Sequence, residues 1–317
     1  MSSTKIDRID PLHPPNGAAP VTVKQTGNIT EIRYMQRDMD CKIQKLDKDH
    51  YVVIDTGEMK DFQHGGSRAS NLKTVSHSLR DLRDILNTNV TQPEKCLWVT
   101  LTYAKNMQDK NQLYQNFRKF WMRLKTYLLR SQFWPCEYIA VAEPQARGAW
   151  HLHIVFIFEV EAPFIPNAKI AEIWKYGFTK TKALTSIDNV GLYLTAYLAD
   201  LDVTEALKMP DGISKVKGNL KAVQSRTGET KAIVKGGRLW MYPVGFHLYR
   251  CSKGIKRPEI IHCTEAEAMA LVAGIPLTFD KTIRVSSTGN ASFNVINYRQ
   301  YNKARTAQKE GDADEAE

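Results

Sequence analysis

Between Cys96 and Phe158 the apolar residues change period twice, and this change limits the chain to one kind of fold. Leu97-Trp98-Val99-Thr100-Leu101-Thr102-Tyr103 is rich in β-branched and aromatic residues and reads as a strand. Leu113, Phe117, Phe120, Trp121, Leu124 and Leu128 then recur at helical spacing. That helix also carries Arg118, Lys119, Arg123, Lys125 and Arg130, with no acid between Asn111 and Ser131. Glu137–Glu143 and Ala149–Phe158 read as strands joined by a turn over Pro144–Gly148, close enough for an antiparallel hairpin. Ile165–Tyr176 fits a helix closed by Gly177, and Phe178–Leu184 fits a further strand. Ile187–Asp200 fits a helix capped by Ser186 or Asp188. The order strand, helix, strand, strand, helix, strand, helix predicts an α+β fold: an antiparallel sheet covered by helices on one side.

The flanks are less explicit. Residues 1–28 cluster Pro11, Pro14, Pro15, Asn16 and Gly17 and read as disordered. Residues 29–90 read as an N-terminal extension, with short strands at Ile29–Met35 and His50–Asp55 and helical spacing over Leu79–Leu86. The core is expected over 91–205. A basic part over 206–306, packed on that core, is expected to hold strands near Leu239–Tyr249 and a helix over Thr264–Ala273. The acidic tail 307–317 reads as disordered.

Charge narrows the partners. The net charge is +10, although the tail carries one lysine against five acids, so the remainder carries +14. Between Lys208 and Arg257 there are 12 Lys/Arg against Asp211 and Glu229. Such an excess favours a polyanion, because bound cations release condensed counterions from phosphates. The five cysteines are scattered without a Cys-x-x-Cys pair, which speaks against a cysteine zinc site and a disulfide framework. No apolar run reaches the roughly 18 residues that a membrane helix needs, and no signal core opens the chain, so a cytoplasmic protein without a membrane partner is expected. There is no Gly-x-x-x-x-Gly-Lys-[Ser/Thr] loop to drive a nucleotide-fuelled motor.

Two residue sets carry chemistry. His151 and His153 flank Leu152 in an apolar strand, and residues two apart share a face. Glu143 ends the preceding strand, across the turn, and can reach the same face. Two imidazoles and a carboxylate make a mixed nitrogen and oxygen site for a divalent metal, Mn2+ or Mg2+, able to polarise a phosphoryl oxygen. Tyr193 and Tyr197 are four apart on one helix face. A phenol with a pKa near ~10 is a poor nucleophile until its proton is removed. Beside an aligned phosphate it can form a phosphotyrosine ester on the 5′ side and free a 3′ hydroxyl, and a second tyrosine permits a second transfer.

Taken together these segments resemble the HUH endonucleases, specifically rolling-circle replication initiators of Gram-positive plasmids and integrative elements, and more distantly those of single-stranded DNA phages. The resemblance rests on Val99-Thr100-Leu101-Thr102, on Glu143-Pro144-Gln145-Ala146-Arg147-Gly148-Ala149-Trp150-His151-Leu152-His153, and on Val190-Gly191-Leu192-Tyr193-Leu194-Thr195-Ala196-Tyr197. Trp174-Lys175-Tyr176-Gly177 and Tyr249-Arg250-Cys251-Ser252-Lys253-Gly254-Ile255-Lys256-Arg257-Pro258 also fit. It covers roughly half the chain. It implies a ferredoxin-like, RRM-like core, a metal on His151, His153 and Glu143, and Tyr193 and Tyr197 as nucleophile candidates. It also implies DNA contacts from Arg147, Lys175, Lys180, Lys182, Arg250, Lys253, Lys256 and Arg257. The family usually carries a lysine three residues after each tyrosine; here those positions are Ala196 and Asp200. Either another cation substitutes, such as Lys175, Lys180, Lys182 or Lys253, or the activity is slower, or catalysis is lost while DNA binding remains.

The function implied is nicking of a single strand at a replication origin. The partners would be single-stranded and duplex origin DNA, with a host helicase and polymerase supplying what the chain lacks. Alternatives are a relaxase or transposase of the same chemistry, a non-catalytic DNA-binding regulator on the same fold, and a metal-dependent hydrolase of another substrate.

Overall fold

The structure is a computed structural model that describes residues 4–37, 43–54, 56–62, 72–131, 136–184, 190–203, 219–224, 230–243, 245–287 and 293–305. The chain divides into two compact units, residues 1–64 with 258–317, and residues 65–257.

The first unit is built from both ends of the chain. Strands β1 (Thr4–Ile9), β2 (Pro20–Thr26) and β3 (Ile29–Met35) join β15 (Glu259–Thr264), β16 (Leu277–Ser287) and β17 (Phe293–Asn302). The sheet order is β1-β16-β17-β3-β2-β15, antiparallel throughout. Val21, Val23, Ile32, Tyr34 and Tyr301 point to one face and pack against Ala268 and Val272, from helix α5 (Glu265–Leu271) and its C-cap. Thr264 opens α5 with a capping box, accepting from Glu267 N while the Glu267 carboxylate accepts from Thr264 N. A small meander of β4 (Ile43–Lys45), β5 (His50–Val53) and β6 (Met59–Asp61) belongs to the same unit.

This arrangement corrects the reading of the flanks. Residues 1–28 hold two strands; the Pro and Gly cluster is only their connection. Residues 259–302 pair with N-terminal strands instead of forming part of an extension on the core. The acidic tail 307–317 lies outside the described residues.

The second unit centres on a five-stranded antiparallel sheet. Its strands are β7 (Cys96–Thr102), β8 (Cys136–Pro144), β9 (Trp150–Phe158), β10 (Thr179–Ala183) and β14 (Tyr249–Cys251), in the order β10-β7-β9-β8-β14. Helix α1 (Leu72–Asn89) precedes it; α2 (Lys110–Arg130), α3 (Asn167–Trp174) and α4 (Val190–Ala199) interrupt it. Asp109 caps α2, accepting from Asn111 N and Gln112 N at 2.7 and 3.2 Å. The α2 stripe of Leu113, Phe117, Phe120, Leu124 and Leu128 is buried with Val99, Leu101, Ala140, Ala142, Leu152, Ile154 and Phe156. Each such side chain contributes about 1.5–3 kcal/mol by leaving water.

The opposite face is also covered, which corrects the one-sided sheet expected from sequence. Trp98, Ile139, Val141 and Val155 pack with Leu82, Ile85 and Leu86 of α1 and Val190, Leu194 and Leu198 of α4. Gly191 permits this close approach: a Cβ there would stand 2.4 Å from the Arg83 carbonyl oxygen, and Gly191 N donates to Asn87 Oδ1 at 2.9 Å. The expected cap residues Ser186 and Asp188 lie outside the described residues. Helix α3 ends at Trp174, two residues earlier than expected, with Lys175 in the left-handed conformation at φ 69°. The Leu239–Tyr249 segment is mostly not a strand. A 3-10 turn spans Gly237–Met241, entered from Gly236 at φ 73°, and only Tyr249–Cys251 pairs with β8. Its apolar residues Leu239, Tyr242, Phe246 and Leu248 enter the core from a loop, where Phe246 stacks on Trp150. Strands β11 (Leu201–Asp202), β12 (Asn219–Gln224) and β13 (Thr230–Lys235) form a separate three-stranded sheet.

Candidate metal centre

The β8–β9 hairpin sets the site. Gln145 N donates to Ala149 O, Gly148 N donates to Gln145 O, both at 2.8 Å, and Gly148 takes φ 83° at the corner. The resulting register pairs Glu143 with His151, Thr102 with His151, and Thr100 with His153. Glu143, His151 and His153 therefore emerge on one face, with ligand atoms all within 4.8 Å of one another. Sequence spacing predicts this trio, and the geometry brings it together.

Each member is held. His153 Nε2 makes a short contact with Glu143 Oε2, while His153 Nδ1 lies 3.2 Å from Thr100 Oγ1. Glu143 Oε1 takes a buried ion pair from Arg238 Nη1 at 3.0 Å. The same guanidinium donates to Pro144 O at 2.9 Å and to Asp200 O at 3.3 Å. The Asp200 carboxylate in turn accepts from Gly236 N at 3.0 Å, fixing the turn that delivers Arg238. His151 Nε2 is a buried ring nitrogen without a hydrogen-bond partner.

The electrostatics suit a cation. Burial alone would raise the Glu143 carboxyl, but the hydrogen bond and charge of His153, then Arg238 and His151, outweigh it and hold the group below its usual range. Burial pushes the His151 imidazole down to about 4, so it is neutral at pH 7 and its lone pair is available. Two nitrogens and one carboxylate oxygen, one nitrogen being orphaned, are a donor set that fits a divalent metal.

Helix α4 covers the same sheet face. Leu194 and Leu198 line an apolar pocket with His153, Leu86, Trp98, Val141 and Val155. Tyr193 and Tyr197 sit one turn apart on this helix; their side chains lie outside the described residues.

The predicted DNA-contact residues fall in three places. Lys180 and Lys182 of β10 pair with Thr100 and Trp98, which puts them on the histidine-bearing face, both exposed. Arg147 lies in the hairpin turn, bonded to Gln145 Oε1 and Tyr103 O, and Lys175 caps α3. Arg250, Lys253 and Arg257 line a groove of about 640 Å³ along the edge strand β14, and Lys256 beside it is bound through its backbone by Asn89. Trp174 and Gly177 seal the end of β7: Trp174 Nε1 donates to Thr102 O at 3.0 Å, and a Cβ on Gly177 would meet that oxygen at 2.4 Å.

Arg238 is the residue that sequence reasoning missed. It counts among the basic residues between Lys208 and Arg257, yet it is 5% exposed and serves the metal cluster rather than a surface. Nothing local distinguishes it; its partner is almost a hundred residues away.

An antiparallel α+β sheet with a His-x-His strand, a facing glutamate and a covering helix defines a class of candidate metal-centre protein. Residues 96–202 match the family described as replication-associated protein ORF2, and this match supports a replication initiator. The matched span contains Glu143, both histidines and α4. No curated protein and no solved structure matches the chain. No described helix is long and apolar enough to cross a membrane.

Proposed function

We propose that the chain nicks one DNA strand at a replication origin through a tyrosine and so initiates rolling-circle replication of a plasmid or mobile element. The observation that carries this reading is the Glu143–His151–His153 cluster on the sheet face that the tyrosine-bearing helix covers. A divalent ion there, Mn2+ or Mg2+, supplies Lewis-acid polarisation of the scissile phosphate. His151, His153 and Glu143 Oε2 would hold it, while Arg238 keeps Glu143 Oε1 engaged.

The covalent step is a displacement at phosphorus. The phenolic oxygen of Tyr193 or Tyr197 loses its proton to solvent and bonds to phosphorus, and the bond from phosphorus to the 3′ oxygen breaks. The 3′ oxygen takes up a proton, and the 5′ phosphate stays on the protein. The ester retains the phosphodiester's energy, so a second transfer rejoins the strand without a nucleotide cofactor. The free 3′ hydroxyl primes a host polymerase, and strand opening falls to a host helicase. Lys180 and Lys182, exposed on the same face, would steer the backbone of the bound strand.

The test is a covalent protein–DNA adduct on a denaturing gel, using a single-stranded oligonucleotide carrying the origin and added Mn2+. Tyr193→Phe and Tyr197→Phe, made separately and together, identify the nucleophile. An adduct that survives the double change would overturn the tyrosine chemistry, and binding of the oligonucleotide without any adduct from the wild-type chain would favour a non-catalytic regulator.

A further inference from the structure

The sheet of the first unit has a second face that α5 does not use. Cross-strand register places Lys281, Tyr298, Arg33, Thr22 and His262 in one row across β16, β17, β3, β2 and β15. The row spans four strand spacings, roughly 19 Å. Next to it on one side run Phe279, Gln300, Glu31, Lys24 and Ile260; on the other run Arg8, Ile283, Ile296 and Met35. Tyr298 is 37% exposed and Phe279 47%, and Arg33 and Arg8 are also exposed.

The charge on this face has one sign. Glu31 is the acid in these rows, and Lys24 Nζ neutralises it at 2.5 Å. Among the described residues no carboxylate pairs with Arg8, Arg33 or Lys281. The exposed ring of Tyr298 thus stands between two cations in register, Lys281 on one side and Arg33 on the other. An open sheet face that only needed solvation would carry mixed charges without aromatic rings. Rings interleaved with cations instead suit a ligand whose repeating unit pairs a flat π surface with a phosphate.

We propose that this face is a second nucleic-acid site, which binds single-stranded DNA by stacking bases on Tyr298 and Phe279 while Arg8, Arg33 and Lys281 hold the phosphates. A duplex keeps its base faces stacked internally and offers nothing to an exposed ring, so the unpaired strand is the fitting partner. The site shares no residue with the metal centre and takes no part in bond breaking.

The experiment uses the full chain in EDTA, so that no nicking intrudes, and a fluorescent oligothymidine without origin sequence. Binding is read by anisotropy across a salt series. Tyr298→Ala should weaken binding by roughly 5- to 150-fold, as loss of one base stack does, and Tyr298→Phe should restore it. Arg33→Ala with Lys281→Ala should flatten the salt dependence by about 1.4 in log–log slope, two phosphate contacts' worth for a single strand. The proposal is overturned if the Ala variants, melting like the wild type, bind as the wild type does, or if duplex of equal length competes as well as the single strand. Since the assay contains neither metal nor origin, its result is independent of whether Tyr193 or Tyr197 forms an adduct.

Discussion

Arg238 and Glu143 meet as a buried ion pair, Nη1 to Oε1 at 3.0 Å, with about 5% of either side chain in contact with solvent. The pair ties the end of β8 to the turn after β13 and, through Asp200 O, to the end of α4. One carboxylate oxygen is committed to the guanidinium, and the other is left toward the histidines. Asp200 and Ala196 stand where lysines occur in the initiators this chain resembles; Asp200 serves here to hold the turn that brings a guanidinium instead.

Arg238→Ala should therefore be costly. Breaking a buried pair from one side leaves a charge without compensation, at about 3–5 kcal/mol. Urea denaturation of the metal-free protein measures this, with Arg238→Lys retaining part of the stability. In the Lys variant, Mn2+ affinity or adduct formation should fall about 10- to 100-fold, as when a residue behind a metal ligand is altered.

Metal binding should be visible without any DNA. Mn2+ added to the wild-type chain should raise its melting temperature, and EDTA should reverse the rise, because a ligand that binds only the folded state stabilises it. His151→Ala, which removes the orphaned nitrogen, should melt at the same temperature with and without Mn2+. Equal shifts in both proteins would place the ion elsewhere.

Alkaline solution should weaken the second unit. Burial pushes the Cys96 and Cys136 thiols from 9.0 up to about 12, and the Tyr103 phenol from 10.0 up to about 12. Each group loses its proton more readily when unfolded, so stability is intact below pH 9 and is lost as pH rises from 9 toward 12. Cys96→Ala with Cys136→Ala should delay the onset to the Tyr103 window, which opens at 10.0. Urea midpoints across that range decide.

Gly191→Ala should loosen α4, since the new Cβ would meet the Arg83 carbonyl oxygen at 2.4 Å and Asn87 Oδ1 at 2.7 Å. Backbone cannot yield cheaply there. Hydrogen exchange in residues 190–199 should accelerate while α2 keeps its protection, and adduct formation should fall with it.

Much of the second unit was legible because its signals are local. The period of two in β7 and β9, the stripe of α2 and the short turn after Glu143 each need only neighbouring residues, and they were enough to predict the hairpin and its three ligands. Residues 239–249 misled because Leu239, Tyr242, Phe246 and Leu248 are apolar for a reason unrelated to strand pairing: they anchor a loop beneath Trp150. The first unit was illegible for a different cause. Val21 and Val23 alternate well enough for a strand, but the partner of β2 on one side is β15, about 240 residues on. Arg238 was hidden in the same way, since its importance lies in a carboxylate on another element.

Because β1, β2 and β3 lie against strands made last, a ribosome finishes residues 65–257 before the opening segment can find β15, β16 and β17. The nascent chain must carry the β2–β3 hairpin with bare edges throughout that interval, exposed to mispairing. A message cut short after residue 257 would then yield a unit with all three candidate metal ligands, attached to sixty-odd residues that have lost half their sheet. Quality control by proteolysis should therefore act on the opening segment first, and intact protein accumulates only from messages read to the end.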